Sequence, residues 1–148
     1  MKDSASIRVA VLIIQAGKLL TMRYTYGQKQ VHTLPGGNLE FGEELRDTAK
    51  RELMEELQIA VEIAEEPILT AQVDRNGKTT HHILYEASIM EGIPKLNPAE
   101  TSAESVGWLS LEQLDKTHLY PAVGEALISF YNKTLKDQDL GIIEQPFF

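Results

Sequence analysis

The sequence predicts an α/β or α+β fold, in which a mixed β-sheet is packed between helices. Short segments rich in Val, Ile and aromatic residues are separated by turn dipeptides along most of the chain, a pattern typical of strands. One segment, residues 43–57, carries an apolar residue at every fourth position, as an amphipathic helix does. The chain has 148 residues with neither a repeat nor a linker, so we expect one domain with one buried core.

The first half of the chain is expected to begin with a β-hairpin and to end with the amphipathic helix. In chain order we predict a strand over 7–14, a turn at Ala16-Gly17, a strand over 18–24, a loop over 26–30 and a short strand over 31–34. Pro35, Gly36 and Gly37 should end that strand, because they disfavour regular continuation. A short strand over 38–41 and the helix over 43–57 follow, with Gly42 opening the helix.

The second half is expected to be mostly β-structure with a helix near its end. We predict strands over 60–64, 68–73, 79–90 and 106–109, a hairpin turn at Asn76-Gly77 and a loop over 91–105. Residues 110–113 resemble a capping box that starts a short helix. Pro121 fits the first position of a final helix to about residue 135, and residues 136–148 form a tail.

Composition and charge argue against several classes of function. The net charge of −8 and the lack of a basic run disfavour duplex nucleic acid, whose phosphates need Lys and Arg. With no cysteine, the chain forms neither disulfides nor Cys-ligated zinc sites. The longest apolar run, residues 9–14, is too short to span a membrane, and residues 1–8 do not read as a signal peptide. We therefore expect a cytoplasmic protein with no membrane partner.

Three glutamates in the predicted helix form a candidate metal site. Glu52, Glu55 and Glu56 are spaced i, i+3 and i+4, so their carboxylates share one helix face and repel one another. Carboxylate oxygens are hard ligands that suit Mg²⁺ or Mn²⁺, which also bind substrate phosphates. Gly36 and Gly37 allow close backbone approach, so a tight turn there can aim N–H or carbonyl groups at metal or phosphate. The Gly36 backbone is thus a further candidate metal contact.

Arg51, inside the same helix, is a candidate support for these ligands. Glu43 lies eight residues earlier, or about two helical turns, and Arg51 can reach back to it. Such a pair would pin the preceding loop to the helix and orient the glutamates. We therefore assign supporting roles to Arg51 and Glu43.

The segment from Gly37 to Ile59, GNLEFGEELRDTAKRELMEELQI, resembles the Nudix box. Its fixed glycine, glutamate and arginine positions agree, except that Gln58 stands where the family has glycine. Residues 34–37, Leu-Pro-Gly-Gly, and residues 108–114, beginning Trp-Leu-Ser-Leu, also look Nudix-like. The resemblance implies an α/β/α sandwich with a mixed sheet, formed by a single domain over 1–148 with a core over about 6–135.

The resemblance also implies an activity. Nudix proteins hydrolyse a diphosphate linkage in nucleoside diphosphate derivatives, such as nucleoside triphosphates, ADP-ribose or nucleotide sugars, with Mg²⁺ or Mn²⁺. Glu52, Glu55 and Glu56 fall on the family's metal-binding positions. The general base varies in the family, so it is either a box glutamate or a glutamate of the later loop. Glu100 and Glu104 are the loop candidates, and Glu104 is preferred because it is closer to Trp108.

The glutamine at position 58 calls for a physical account. A glycine there would follow the helix with positive φ at little cost. With glutamine, either the left-handed conformation is kept at a cost of about 1 kcal/mol or the helix ends differently. Because Gln58 has no implied ligand role, we expect its effect to be on stability rather than on catalysis.

Residues outside the box supply weaker candidates. Arg23 could contact a substrate phosphate, and His32 could stack on a base or sugar, although a structural role for His32 is an equal alternative. His81 and His82 are adjacent on a strand, so they should point to opposite faces, and neither is assigned a ligand role. Trp108 is expected in the core.

One alternative function stays open on the sequence alone. A catalytically inactive Nudix-fold module that senses a nucleotide would share the fold, but the full set of box glutamates favours an enzyme. The partner is expected to be a small nucleotide-type molecule. The apolar end Pro146-Phe147-Phe148 is expected to dock on its own domain or on a second subunit, which makes a homodimer possible.

Overall fold

The computed structural model describes residues 4–146. Within these residues the strands are β1 (Ser4–Leu12), β2 (Ile14–Gln15), β3 (Lys18–Tyr26), β4 (Lys29–Thr33), β5 (Gly36–Asn38), β6 (Ala60–Ile63), β7 (Leu69–Arg75), β8 (Lys78–Glu91), β9 (Ser105–Ser110), β10 (Leu119–Tyr120) and β11 (Asp139–Ile142). The helices are α1 (Leu45–Leu57), a 3₁₀ helix (Leu111–Lys116) and α2 (Gly124–Tyr131).

The described strands form two sheets. The large sheet has the order β11-β7-β8-β1-β5, with β6 also paired to β8. The small sheet has the order β10-β4-β3-β2, with β9 also paired to β3. Both contain parallel and antiparallel pairs: β1 runs parallel to β8 and antiparallel to β5, for example. The predicted mixed sheet is confirmed, although it is divided in two.

The core lies on both sides of the sheets, as β1 shows. Val9 and Val11 pack in a cluster with Leu53 and Leu57 of α1. The alternate residues of β1 pack in a second cluster, with the 3₁₀ helix and α2. Because side chains alternate along a strand, one apolar strand can serve both clusters. The resulting order of helix, sheets and helix confirms the expected α/β/α sandwich.

The helix and turn predictions made from local patterns are largely confirmed. α1 begins two residues later than predicted and ends at Leu57 as predicted. Gln58 caps the helix with a φ of 59° and a ψ of 36°, which is the left-handed conformation of the two outcomes left open. Ala16-Gly17 and Asn76-Gly77 each have positive φ at both residues, the conformation that tight hairpin turns need. His82 is buried while His81 is exposed, so the two do point to opposite faces.

The prediction for the segment after Pro35 was wrong. The preceding strand does end before Pro35 as predicted, but residues 36–38 are regular: they form β5, which pairs with β1, and among the described residues no strand covers 39–41. Close approach explains the glycines: a Cβ at Gly36 would overlap the carbonyl oxygen of Val9 on the neighbouring strand. Long-range pairing has overridden the local preference here.

Several predictions for the second half also need correction. Trp108 is not in the core, since its exposed fraction is 37%. Ser110 precedes a 3₁₀ helix without a side-chain capping bond to any described residue. Pro121 follows a cis peptide bond and lies before α2, which spans only Gly124–Tyr131. The tail contains β11, while the expected docking of Pro146-Phe147-Phe148 falls partly on residues 147–148, outside the described residues.

No helix within residues 4–146 has the length and apolar character needed to cross a membrane.

Candidate functional site

The three box glutamates lie where α1 packs against β5. Leu53 and Leu57 anchor one face of α1 in the core, which leaves the glutamate face directed away from that cluster. Gly37 of β5 lies against this face so closely that a Cβ there would overlap the Glu52 carboxyl group. The glycine therefore makes room for Glu52, whose side chain is only 15% exposed.

Arg51 is the hub of the ionic contacts around the glutamates. Its Nε donates to Glu43 Oε2 at 2.7 Å, and Nη2 donates to Glu43 Oε1 at 3.0 Å. Its Nη1 donates to Glu52 at 2.9 Å and to Glu55 at 3.3 Å. A further bond reaches the carbonyl oxygen of Asn38 at 3.2 Å. Arg51 thus ties the loop before α1, the end of β5 and two box glutamates together.

These contacts shift the protonation of the groups around Arg51. Hydrogen bonding to Arg51 lowers the pKa of Glu43 to about 2, with smaller contributions from the Glu40 backbone and Thr48. The pKa of Arg51 is raised, mainly by the same bond to Glu43. Burial raises the pKa of Glu52, although its hydrogen bond to Arg51 opposes that rise. The Glu43–Arg51 pair is therefore ionised at neutral pH.

Glu56 is the glutamate whose pKa is raised closest to neutrality. Burial is the largest cause, and together with the negative charges of Glu52, Glu55 and Glu100 it raises the pKa of Glu56 to about 7, while Arg8 opposes the shift. A carboxyl group with this pKa can accept or release a proton near neutral pH.

The cluster fits a divalent cation in its chemistry. Its donors are carboxylate oxygens, which Mg²⁺ and Mn²⁺ prefer, and a cation would relieve the repulsion that raises the pKa of Glu56. Among the described residues, however, no three acidic or histidine side chains converge at metal-binding distance. Glu52 and Glu55 instead turn towards Arg51. To bind a cation, those two carboxylates would have to contact Arg51 and the metal at the same time.

A cleft of about 550 Å³ lies between the two sheets. The lining side chains combine cations and tyrosines with smaller groups: Arg8, Tyr24, Tyr26, Thr33, Val73, Arg75, Asn76, Lys78, Thr80, Tyr120 and Gln145. None of these is acidic, in a protein whose net charge is −8. Aromatic faces and positive charges together suit a ligand with a planar ring and phosphate groups.

Arg8 connects this cleft to the glutamates. Its guanidinium donates to the carbonyl oxygen of Leu34 at 3.2 Å and lies 5.9 Å from the centre of the Tyr120 ring. Its charge also lowers the pKa of both Glu52 and Glu56, so it is within electrostatic range of the cluster. The cleft therefore opens beside the glutamates, with Arg8 at the junction.

The loop between β8 and β9 completes this side of the site. The amide of Asn97 donates to the carbonyl oxygen of Glu56 at 2.9 Å, and the Tyr24 hydroxyl lies 3.1 Å from Thr101 Oγ1. Glu100 lies between these two anchors, and its charge contributes to the raised pKa of Glu56. Glu104, which the sequence favours, instead pairs with Arg23 at 3.9 Å.

The structure does not bring Arg23 and His32 to the cleft. They are partners across β3 and β4, and the alternation of side chains directs both away from the face that carries Tyr24. With Trp108 they line a separate pocket of about 110 Å³. The sequence analysis missed Arg8, although a lone arginine at the start of an apolar strand is a detectable signal.

Comparisons with known proteins identify the family and agree with the fold. The NUDIX domain family model matches residues 5–129. Similar solved structures include the E. coli ORF135 protein, with 22% identity, a TM-score of 0.74 and coverage of 91% of this chain and 96% of that one. The MutT protein from Methanosarcina mazei Go1 has 21% identity, a TM-score of 0.74 and coverage of 92% and 99%.

An ADP-ribose pyrophosphatase from Streptococcus suis 89-1591 is similar as well, with 20% identity and a TM-score of 0.63. Here the match covers 94% of this chain and 98% of that one. At these identities, similarity to the solved structures supports the fold alone. The family model matches most of the sequence itself and therefore supports membership of the family. The chain therefore belongs to the Nudix hydrolase family.

Proposed function

We propose that the protein hydrolyses the diphosphate linkage of a nucleoside diphosphate derivative, with Mg²⁺ or Mn²⁺ as cofactor. The observation that carries this proposal is the position of the glutamate cluster beside a basic, tyrosine-lined cleft, with Arg8 at their junction. Nudix hydrolases generally need divalent metal ions. The name of the similar Streptococcus suis protein, an ADP-ribose pyrophosphatase, supports the same class of substrate.

Glu52, Glu55 and Glu56 are proposed to hold the cation, with the Gly36 backbone as a further candidate contact. A bound divalent cation would supply charge neutralisation for the phosphates and lower the pKa of a water molecule. Arg51 and Glu43 support the ligands: their two hydrogen bonds fix the guanidinium, which in turn holds Glu52 and Glu55.

The general base is proposed to be Glu56 or Glu100. Glu56 would serve as the base where Glu52 and Glu55 hold the cation without it, because its pKa of about 7 belongs to the metal-free protein. Glu100 is the loop alternative, because its charge acts on Glu56 whereas Glu104 pairs with Arg23. We accordingly prefer Glu100 to Glu104.

The cleft residues are proposed to bind the rest of the substrate. Arg8 can place a phosphate next to the glutamates, and Tyr24, Tyr26 and Tyr120 offer ring faces for a base. Arg23 and His32, which lie outside the cleft, are no longer favoured as contacts. The extent of the domain, a cytoplasmic location and a homodimer stay predictions from the sequence.

A substrate panel tests this proposal. We expect release of phosphate or a nucleoside monophosphate from at least one of a nucleoside triphosphate, ADP-ribose and a nucleotide sugar, with Mg²⁺ or Mn²⁺ present and not with EDTA. Tight nucleotide binding without turnover of any of them would favour the sensing module instead. Neither binding nor turnover would refute both.

A further inference from the structure

The chain after α2 adds a wall to the cleft. β11 pairs in parallel with β7 at the edge of the large sheet, and the Ile143 amide then donates to the Gln72 carbonyl oxygen at 2.9 Å. The chain continues from there to Gln145, which lines the cleft. The tail predicted from the sequence is therefore, up to Pro146, an integrated part of the structure around the cleft.

Gln145 makes hydrogen bonds to both sheets. Its Oε1 accepts from the Ala122 amide at 2.7 Å, and its Nε2 donates to the carbonyl oxygen of Leu119, in β10 of the small sheet, at 3.3 Å. Its own carbonyl oxygen accepts from Arg75 Nη1 at 3.4 Å, and Arg75 is the last residue of β7 in the large sheet. One residue thus bridges the two elements that form opposite walls of the cleft.

The Arg75 end of the bridge lies away from the glutamates. Arg8, at the near end, is paired with His82 on β8, whereas Lys78 at the start of β8 is four positions away. At about 3.3 Å for each residue, that separation is roughly 13 Å along the strand. Arg75 pairs with Lys78 and so shares this far end. The Arg75 contact of Gln145 therefore lies at the end of the cleft away from Arg8, while the Gln145 side chain holds the segment that carries Tyr120.

We infer that Gln145 is a positioning residue that fixes the width of the cleft, by joining Arg75 to the segment that carries Tyr120, and thereby determines which substrates fit. The inference rests on the proposed function, because it assigns the near end to the diphosphate and the far end to the nucleoside. Loosening the bridge should weaken substrate binding without slowing the bond cleavage, since the glutamates are not in contact with Gln145.

Kinetics of matched glutamine variants test this assignment. Gln145→Ala should raise KM for the hydrolysed substrate by about fivefold or more while kcat changes by less than about twofold. Gln145→Glu keeps an acceptor for Ala122 but loses the donor to Leu119, so KM should rise there too, even if the alanine variant folds poorly. Gln138→Ala is the control, because that side chain is exposed on the same segment and does not line the cleft.

An amide-exchange measurement separates this inference from the proposed function. Exchange at the Ala122 amide should be faster in Gln145→Ala than in the wild type or Gln138→Ala, whether or not any substrate is turned over. If the wild type binds ADP without hydrolysing the panel, the hydrolase proposal fails and the Kd for ADP replaces KM as the test of Gln145. Unchanged Ala122 exchange, unchanged KM and Kd, or a loss of kcat at constant KM would each overturn the inference.

Discussion

Lowering the pH should destabilise the protein through His82, a buried residue behind the cleft. His82 has no exposed surface, and neither ring nitrogen has a hydrogen-bond partner among the described residues. The centres of the His82 and Tyr120 rings are 5.1 Å apart and the ring planes cross at 83°, which is an edge-to-face contact. The Arg8 guanidinium lies over the Tyr120 ring. Burial, followed by the positive charges of Arg8 and His81, lowers the pKa of His82 from 6.5 to about 4.

The sign and size of the effect follow from that shift. Between pH 6.5 and about 4 the unfolded chain binds a proton at His82 that the folded chain does not, so the free energy of unfolding falls as pH falls. The full difference in pKa corresponds to a loss of about 3 kcal/mol in the free energy of unfolding, which is complete below pH 4. About 2 kcal/mol is already lost at pH 5. Above pH 6.5 the contribution is constant.

Urea unfolding at pH 7.5, 6.0 and 5.0 measures this loss. His82→Phe keeps a ring of similar size without a titrating group, so the variant should gain about 2 kcal/mol relative to the wild type between pH 7.5 and pH 5. Carboxylates common to both proteins cancel in that difference. His81→Gln is the comparison variant: His81 is exposed, and its charge is the smallest cause of the His82 shift, so most of the pH dependence should remain. Parallel pH profiles for wild type and His82→Phe would refute the reasoning.

Three further predictions concern α1. Glu56→Gln should lower kcat by orders of magnitude with the melting temperature nearly unchanged, whereas Asp47→Asn, an exposed change on the same helix, should leave kcat near the wild-type value. Gln58→Ala and Gln58→Gly both lose the side-chain bonds to two loop carbonyls, but only the alanine keeps the left-handed strain. Urea unfolding should therefore show Gln58→Ala about 1 kcal/mol less stable than Gln58→Gly, with kcat unchanged in both. Gly37→Ala should displace Glu52 and reduce kcat by about tenfold or more, and activity equal to wild type would contradict the assigned overlap.

The features that the sequence predicts well depend on neighbours in the chain. The helix, its left-handed end at Gln58 and the reach of Arg51 back to Glu43 all follow from helical geometry over a few turns. The two positive-φ turns likewise follow from dipeptide chemistry. Each of these could be predicted because every contact that defines it lies within about fifteen residues.

The features that were missed depend on pairing between distant segments. Gly36 and Gly37 have weak strand propensity, yet β1 pairs with them in the folded chain. The face on which Arg23 lies is set by the registers of β3 with β4 and β9, which span about eighty residues. Likewise, Glu104 is nearer to Trp108 in sequence, but the loop path takes Glu100 to Glu56.

The same contrast between local and long-range contacts separates the residues proposed for catalysis from those proposed for substrate selection. The glutamates and their arginine occupy one helix, so their arrangement survives wherever that helix and its preceding glycines are kept. The cleft takes Arg8 from β1, Tyr24 from β3, Tyr120 from β10 and Gln145 from beyond β11, and no local pattern ties these positions together. Substitutions at such dispersed positions can reshape the cleft while the glutamates stay in place. Selectivity in this protein should therefore change through the strands and the C-terminal segment, and the reaction through α1.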